Sequence, residues 1–400
     1  PSPRPAGNTG LLRRAEGRID SVLMVAIAAA LIGKFFFAFR INIHWDEFYF
    51  LSMVHDYLRG ALESRLQTLH VHLFSWVAGV PGNEIDQIIA GRLVMACLAT
   101  GSAGFVYAIC RQFVTRGPSL FAVLAYLSLN FVVQHGASFR ADPMPTFLAL
   151  LAIHGALRWP ERVGAALIAG AALGLATLIS IKTAVYYPVV AAAIWCAPTQ
   201  LRARIRFGGL VVLAFVAAFG PLYLLHDASL AAPAAVPVGD RLQQAASRML
   251  FQEGLLPRKA DFLWILSLNA LFWFLALGGA VVALYQASAK GGRTAWLPLA
   301  LALPLLSPIV YRNAFAYYYA FAVPTSCVLV ALLFDALRRQ VATRRQRGFS
   351  ASARLTIARH RRASPARRCA RDSAPGCSGS WSRCCSTRCA AGWRPGAPCR

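Results

Sequence analysis

The chain has 400 residues, of which 57% are hydrophobic and 14% charged, against about 25% charged in an average soluble domain. With a mean hydropathy of +0.51 and repeated apolar runs of roughly 18 to 22 residues, composition disfavours a soluble globular protein and points to a polytopic membrane protein. The net charge of +25 resembles a nucleic-acid footprint only until it is mapped: sixteen of the 41 Lys and Arg lie in residues 338–400 beside one acid, Asp372. The others cluster between apolar runs, the pattern of the positive-inside rule rather than of a phosphate-tracking groove.

In chain order, Arg13, Arg14 and Arg18 precede a first apolar run at Ser21–Phe39. This run is too long for a signal-peptide core and has no small-residue cleavage site, so it reads as a retained helix with residues 1–20 as a cytoplasmic N-terminal segment. Further helices are expected near 91–110, 118–135, 143–158, 163–181, 184–197, 207–225, 262–286, 295–311 and 315–337, an all-α polytopic transmembrane bundle of about ten spans over residues 21–337. The basic loops Arg111/Arg116, Arg158/Arg162, Arg202/Arg204/Arg206, Lys290/Arg293 and Arg338/Arg339 then all fall on one side. On the opposite side lies a long first loop, 40–90, whose LQTLHVHLFSWVAGV stretch has the mixed character of interfacial helices. It is followed there by HGASFRADPMP, the Ser180/Lys182/Thr183 turn, residues 226–261 and Tyr311-Arg312-Asn313.

From about Gly348 the periodicity stops, and residues 338–400 form a basic Arg/Cys-rich tail unable to build a core. It is expected to be disordered, to lie on an anionic membrane surface, or to be the out-of-frame reading of a GC-rich gene. The sequence begins at Pro1 rather than Met, from which an incomplete N-terminal end is expected. Cys97, Cys110, Cys196 and Cys327 read as small buried hydrophobes, and the six tail cysteines have no C-x-x-C pairing suited to zinc.

The ionisable groups on the outer side carry the functional reading. Asp46 and Glu47 follow the first span beside His44 and Trp45. An acidic pair at a membrane boundary costs free energy unless solvated, paired or bound to a cation. At a helix start the two side chains diverge by about 100°, so one of them faces a given cleft, where a carboxylate can accept a proton from an attacking hydroxyl. The alternative is a solvated pair favoured by the helix dipole. Asp142 precedes Pro143 and suits a helix N-cap as well as a site. Arg140 either pairs with Asp142 or offers a planar fork to phosphate. If the first two outer loops meet, Asp46 and Asp142 flank a divalent cation or a sugar, the one cofactor the residues suggest. Lys182 and Arg312 are isolated outer cations, either snorkelling or holding a lipid phosphate. Tyr317, Tyr318 and Tyr319 read equally as an aromatic belt or a sugar platform. His70 and His72 point apart on a helix and lack a third ligand, which disfavours zinc. No G-x-S-x-G, Walker A, G-x-G-x-x-G or H-E-x-x-H element is present in a suitable context, so hydrolase, ATPase and dinucleotide chemistry are disfavoured.

Several elements together resemble the GT-C superfamily of membrane glycosyltransferases, in particular the group containing protein O-mannosyltransferases and the lipid A aminoarabinose transferase. They are Trp45-Asp46-Glu47 after the first span, Gly91-Arg92-Leu93 opening the second, Phe139-Arg140-Ala141-Asp142 before the fourth, and Gly174-Leu175-Ala176 leading to Lys182. The resemblance spans roughly residues 20–335. It implies an inverting transferase of the bacterial inner membrane that takes a sugar from a polyprenyl-phosphate carrier at the periplasmic face and passes it to a lipid, glycan or protein acceptor. It also implies Asp46 as the base, with Glu47 beside it. The competing reading is a transporter or lipid flippase, for which Lys34, deep in the first span, is the main candidate residue.

Overall fold

Hydrocarbon offers no hydrogen-bond partner to a peptide group, so an apolar chain of this kind closes its backbone bonds within helices. The computed structural model describes residues 7–230, 254–341 and 343, and these contain helices, turns and no β-strand. Residues 1–339 form one compact unit and 340–400 a second. Most of the basic tail, with every reading of it given above, lies outside the described residues, as do residues 231–253 of the fourth outer loop.

Among the described residues four helices are long and apolar enough to cross a membrane: Gly17–Arg40 within α1 (Gly7–Arg40), α4 (Glu84–Cys110), α10 (Leu201–Ala228), and Ala270–Ala289. The other segments expected to cross are shorter or broken, and each break has a local cause. The 118–135 segment divides into α5 (Arg116–Leu127) and α6 (Asn130–His135). The 262–286 segment divides at Asn269. The two breaks meet, because Asn269 Oδ1 accepts the Asn130 backbone N–H at 2.9 Å, satisfying a donor that a helix start leaves open. Pro298, Pro304 and Pro308 reduce 295–311 to the short turns Arg293–Trp296, Leu297–Ala300 and Leu303–Ile309, since proline lacks the N–H that a continuous helix needs. In the last segment, Tyr318–Ala322 and Pro324–Ser326 precede a helix that begins at residue 327.

The first outer loop is helical, as its mixed sequence suggests. It comprises α2 (Trp45–Leu58), α3 (His70–Phe74) and the turn Ser75–Gly79. On α2, Trp45 and Tyr49 are exposed while Leu51 and Val54 are buried, an amphipathic division suited to a boundary. The centre of the bundle is α7 (Pro143–Arg158) packed on α8 (Val163–Ile179), which in turn packs along α10. The α8–α10 approach depends on Gly170 and Gly174, spaced as in small-xxx-small membrane interfaces. A Cβ at Gly170 would stand 2.2 Å from the Val211 carbonyl oxygen, and one at Gly174 would stand 2.9 Å from that of Phe215.

Substituting Gly170→Val should therefore separate α8 from α10 and destabilise the protein by about 1–3 kcal/mol, the usual range for overpacking. Thermal unfolding in detergent checks this against Gly164→Val on the same helix. A Cβ at Gly164 meets nothing within 4 Å, so that variant should melt like the parent.

Candidate active site

The site forms where the N-terminus of α2, the turn before α7 and the turn after α8 come together. The start of α2 is fixed by a reciprocal cap. His44 Nδ1 accepts the Asp46 N–H at 3.3 Å, and Glu47 Oε1 accepts the His44 N–H at 3.1 Å. This sets the rotation of the helix, and the two adjacent acids then leave in different directions.

Glu47 goes inward and is 1% exposed. Its carboxylate meets Arg92 of α4 in a two-point contact, Nη2 to Oε1 at 2.6 Å and Nε to Oε2 at 2.7 Å, and also accepts the Phe139 N–H at 2.8 Å. Arg92 spends its remaining donors on the end of α1, giving Nη1 to the carbonyls of Ala38 (3.0 Å) and Ile41 (2.8 Å) and Nη2 to that of Asn42 (3.1 Å). Gly91 makes room for the Phe139 ring, which a Cβ there would approach to 2.3 Å. Burial alone would raise the Glu47 carboxyl, but the Arg92 guanidinium and the two backbone N–H groups hold it below the ordinary carboxylate range. Both Glu47 oxygens are thus engaged, and the Gly91-Arg92 and Phe139 elements form one latch around them.

Asp46 leaves toward the second outer loop. Its Oδ2 lies 2.6 Å from Arg140 Nη1, Arg140 Nε lies 3.8 Å from Asp142 Oδ2, and Asp142 Oδ1 lies 2.8 Å from Lys182 Nζ. The four side chains make a row of alternating charge with side-chain exposures from 4% to 14%. Asp142 stands at the N-cap position of α7 but makes no side-chain cap hydrogen bond, its carboxylate being turned to the cations instead. Burial alone would raise its carboxyl, and the charges of Lys182 and Arg140 hold it below its ordinary value. Lys182 sits in the turn Ile181–Tyr186, where Ser180 leaves helical geometry after α8 and redirects the chain.

Tyr317 covers the row. The Arg140 guanidinium carbon lies 3.4 Å from its ring centroid, and Lys182 Nζ lies 5.3 Å from the same ring and 5.9 Å from that of Tyr318. Within this enclosure Arg140 Nη1 is held by the Asp46 carboxylate, whereas Nε, 3.8 Å from Asp142 Oδ2, completes no hydrogen bond. Arg312, the remaining expected anion binder, lies half-buried on the segment that leads to Tyr317, and its carbonyl accepts Arg258 Nε at 3.2 Å. Asp46 and Asp142, expected to flank a cation, have the Arg140 guanidinium in contact with both. That arrangement does not fit a divalent metal, and among the described residues no group of three or more His, Cys, Asp or Glu is placed to hold one.

Two other groups singled out in the sequence make contacts of their own. Lys34 is buried and donates to the Val132 carbonyl at 2.8 Å, tying α1 to α6. His72 Nε2 is hydrogen-bonded to His226 Nδ1 at 2.8 Å, whose Nε2 pairs with Thr68 Oγ1 at 2.9 Å, so this imidazole pair fastens the first outer loop to α10. Sequence reasoning missed the functions of Arg92 and Tyr317 in the architecture. A lone Arg inside an apolar helix was the available signal for Arg92, since such a charge needs a buried acid.

No family model matches this chain, and no curated protein matches it by sequence. Solved structures do match. ArnT from Cupriavidus metallidurans, bound to undecaprenyl phosphate, superposes with a TM-score of 0.59 at 15% identity, over 84% of this chain and 64% of that one. The oligosaccharyltransferase AglB from Archaeoglobus fulgidus, in complex with an inhibitory peptide and a dolichol-phosphate, gives 0.58 at 12% identity over 84% and 54%. The A. fulgidus oligosaccharyltransferase in its apo form gives 0.56 at 11% over 82% and 52%. The chain spans about half to two thirds of the length of these proteins. The likeness is one of fold, and it agrees with the four helices among the described residues that are long and apolar enough to cross a membrane.

The Glu47 latch has a pH signature. A carboxyl held below its ordinary value contributes stability that is complete above about 4.5 and is lost as pH falls through the lowered value. Glu47→Gln should destabilise the protein at neutral pH by about 3–5 kcal/mol, because Arg92 is left buried without its counter-charge. Unfolding curves of parent and variant should converge as pH falls below 4.5; a constant gap across that range would show that the carboxylate charge is not what the latch uses.

Proposed function

Proceeding from the GT-C fold that the chain shares with these membrane transferases, we propose that it is an inverting glycosyltransferase. It moves a sugar from a polyprenyl-phosphate carrier to a lipid, glycan or protein acceptor at the outer face of a cell membrane, with its N-terminus cytoplasmic. On this reading the shorter apolar helices complete a bundle of about ten crossings.

The observation that carries the proposal is Arg140. It is 4% exposed, stacked on Tyr317 and set between two carboxylates, and its Nε completes no hydrogen bond. Such a group suits an oxyanion that arrives from outside the chain. Carrier phosphate entering beside Arg140 and Lys182 draws the guanidinium from Asp46 and leaves that carboxylate free to act. The acceptor hydroxyl then attacks the anomeric carbon and its proton passes to Asp46. The bond from that carbon to the phosphate oxygen breaks, and the electron pair departs with the phosphate. Arg140 and Lys182 stabilise the charge that develops there, and Asp142 keeps both cations in place. Glu47 holds α2 in the orientation that presents Asp46. The row is too enclosed to admit a sugar as it stands, so loading requires the Tyr317 segment to move.

Incubating membranes that contain the full chain with radiolabelled polyprenyl-phosphate sugars tests the reading, with transfer to acceptor as the readout. Asp46→Asn should abolish transfer and leave membrane insertion intact, because an amide of the same shape does not take the proton. Unchanged activity would remove Asp46 from the chemistry. Lys182→Ala should lower kcat by at least about tenfold, equivalent to roughly 1.4 kcal/mol of barrier, and Lys182→Arg should recover part of it. A lysine that only pairs with Asp142 for structure predicts a lowered melting temperature with kcat unchanged.

A further inference from the structure

At the end of α10 remote from the site, the protein holds a second combination of buried charge and apolar surface. A groove of about 510 Å³ runs between α9 (Tyr187–Cys196) and α10, lined by Leu173, Val190, Ile194, Val211, Val212 and Phe215. One end is closed by Arg204 and Trp195. Arg204 is 7% exposed. Its Nη1 donates to the Trp195 carbonyl at 2.9 Å, and its Nε has no hydrogen-bond partner. Among the described residues no carboxylate pairs with it. The Trp195 ring carries a second cation, with the Arg204 guanidinium carbon 5.4 Å and that of Arg293 5.9 Å from its centroid.

The charge at this end is set against local helix energetics. Arg202, Arg204 and Arg206 occupy the first turns of α10, which have no acid. A helix N-terminus is a positive pole and favours anions. The positive-inside rule accounts for basic residues at this end of the helix. It does not account for burying one of them at the mouth of an apolar groove, where a charge is costly without a partner. A partner from outside the chain has to be anionic at the Arg204 end and apolar along the rest. The groove also has a definite length. From Arg204 to Phe215 the helical rise amounts to about 16 Å, which matches half of a hydrocarbon core about 30 Å thick.

We infer that this groove is a binding site for one anionic phospholipid of the leaflet opposite the active site, its phosphate on Arg204 and Arg293 and one acyl chain along α10. A single-leaflet chain matches the groove, and the phosphate falls at headgroup depth beside Trp195, where tryptophan is favoured. Bound there, the lipid supplies the counter-charge that Arg204 lacks and packs α9 against α10. Because the latter helix reaches the imidazole pair of the first outer loop at His226, the site joins the lipid composition of one leaflet to the helix framework of the other.

Native mass spectrometry of the full chain in detergent tests this. The probes are dioleoyl phosphatidylglycerol, dioleoyl phosphatidylcholine and undecaprenyl phosphate, titrated separately and in competition. One phosphatidylglycerol should bind at least about tenfold more tightly than phosphatidylcholine, as expected where two cations meet an anionic headgroup. The Arg204→Ala/Arg293→Ala variant should lose that preference. Gly208→Phe should exclude the lipid without lowering the melting temperature, since a Cβ at 208 meets only Ile194 Cγ2 at 3.9 Å and the ring then fills the groove. Equal binding of the two phospholipids, or a preference that survives Gly208→Phe, overturns the proposal. Undecaprenyl phosphate displacing phosphatidylglycerol from the same groove also overturns it, by assigning the groove to the carrier. None of these readouts uses transfer activity, so they stand apart from the glycosyltransferase reading.

Discussion

The ion pair between Glu47 and Arg92 is the constraint on which the candidate site and the helices around it depend. Arg92 lies in an apolar helix, and a guanidinium there needs a counter-charge and acceptors for all its donors. Glu47 supplies the charge, and the Ala38 carbonyl in the last turn of α1 with those of Ile41 and Asn42 just beyond it supply the acceptors. The Ala38 carbonyl is one that a helix end leaves unsatisfied, so a single side chain serves both the charge and the backbone. The same carboxylate receives the Phe139 N–H, and Arg140 is the next residue. Fixing Glu47 therefore fixes the end of α1, the phase of α2 and the approach of the second outer loop together. The row of alternating charge inherits its geometry from this latch.

The row itself is neutral at rest. Two carboxylates and two cations alternate, so each charge has an opposite neighbour, and the cost of enclosing them is met within the cluster. On the proposed reading, the single charge of a carrier phosphodiester would meet cations that already have carboxylate partners and would compete with those partners. Stacking on Tyr317 fixes the plane of the Arg140 guanidinium within the row.

Much of the fold class was legible in the sequence. Apolar run length and basic loop clusters depend on local composition, and the helices of 84–110 and 201–228 lie where hydropathy put them. The breaks at Leu129 and Asn269 were not legible, since each helix interruption is stabilised by the other across 139 residues. The outer acids and cations stood out as charges in expensive places, and their meeting is a matter of the loop approach that the latch sets. What the sequence could not divide was the work of Asp46 and Glu47. The helical angle between neighbours said that they part, but the destination of each is decided by Arg92 and Arg140, 45 and 94 positions further on. Tyr317 was ambiguous for the same reason, its partner being known only from the folded chain.

The capping of α2 gives the order of the two acids a meaning of its own. The longer acid spans the distance to a partner on another helix, while the shorter one stops at Arg140 in the row of alternating charge. Exchanging the two would conserve charge and composition, yet it would draw the carboxylate back from Arg92 by one methylene and push the other forward by the same amount into the space beside Arg140. A one-residue shift ahead of Trp45 would turn α2 by about 100° and present neither acid correctly. In this protein the doublet is a ruler as much as a pair of charges, and it is read in one direction only.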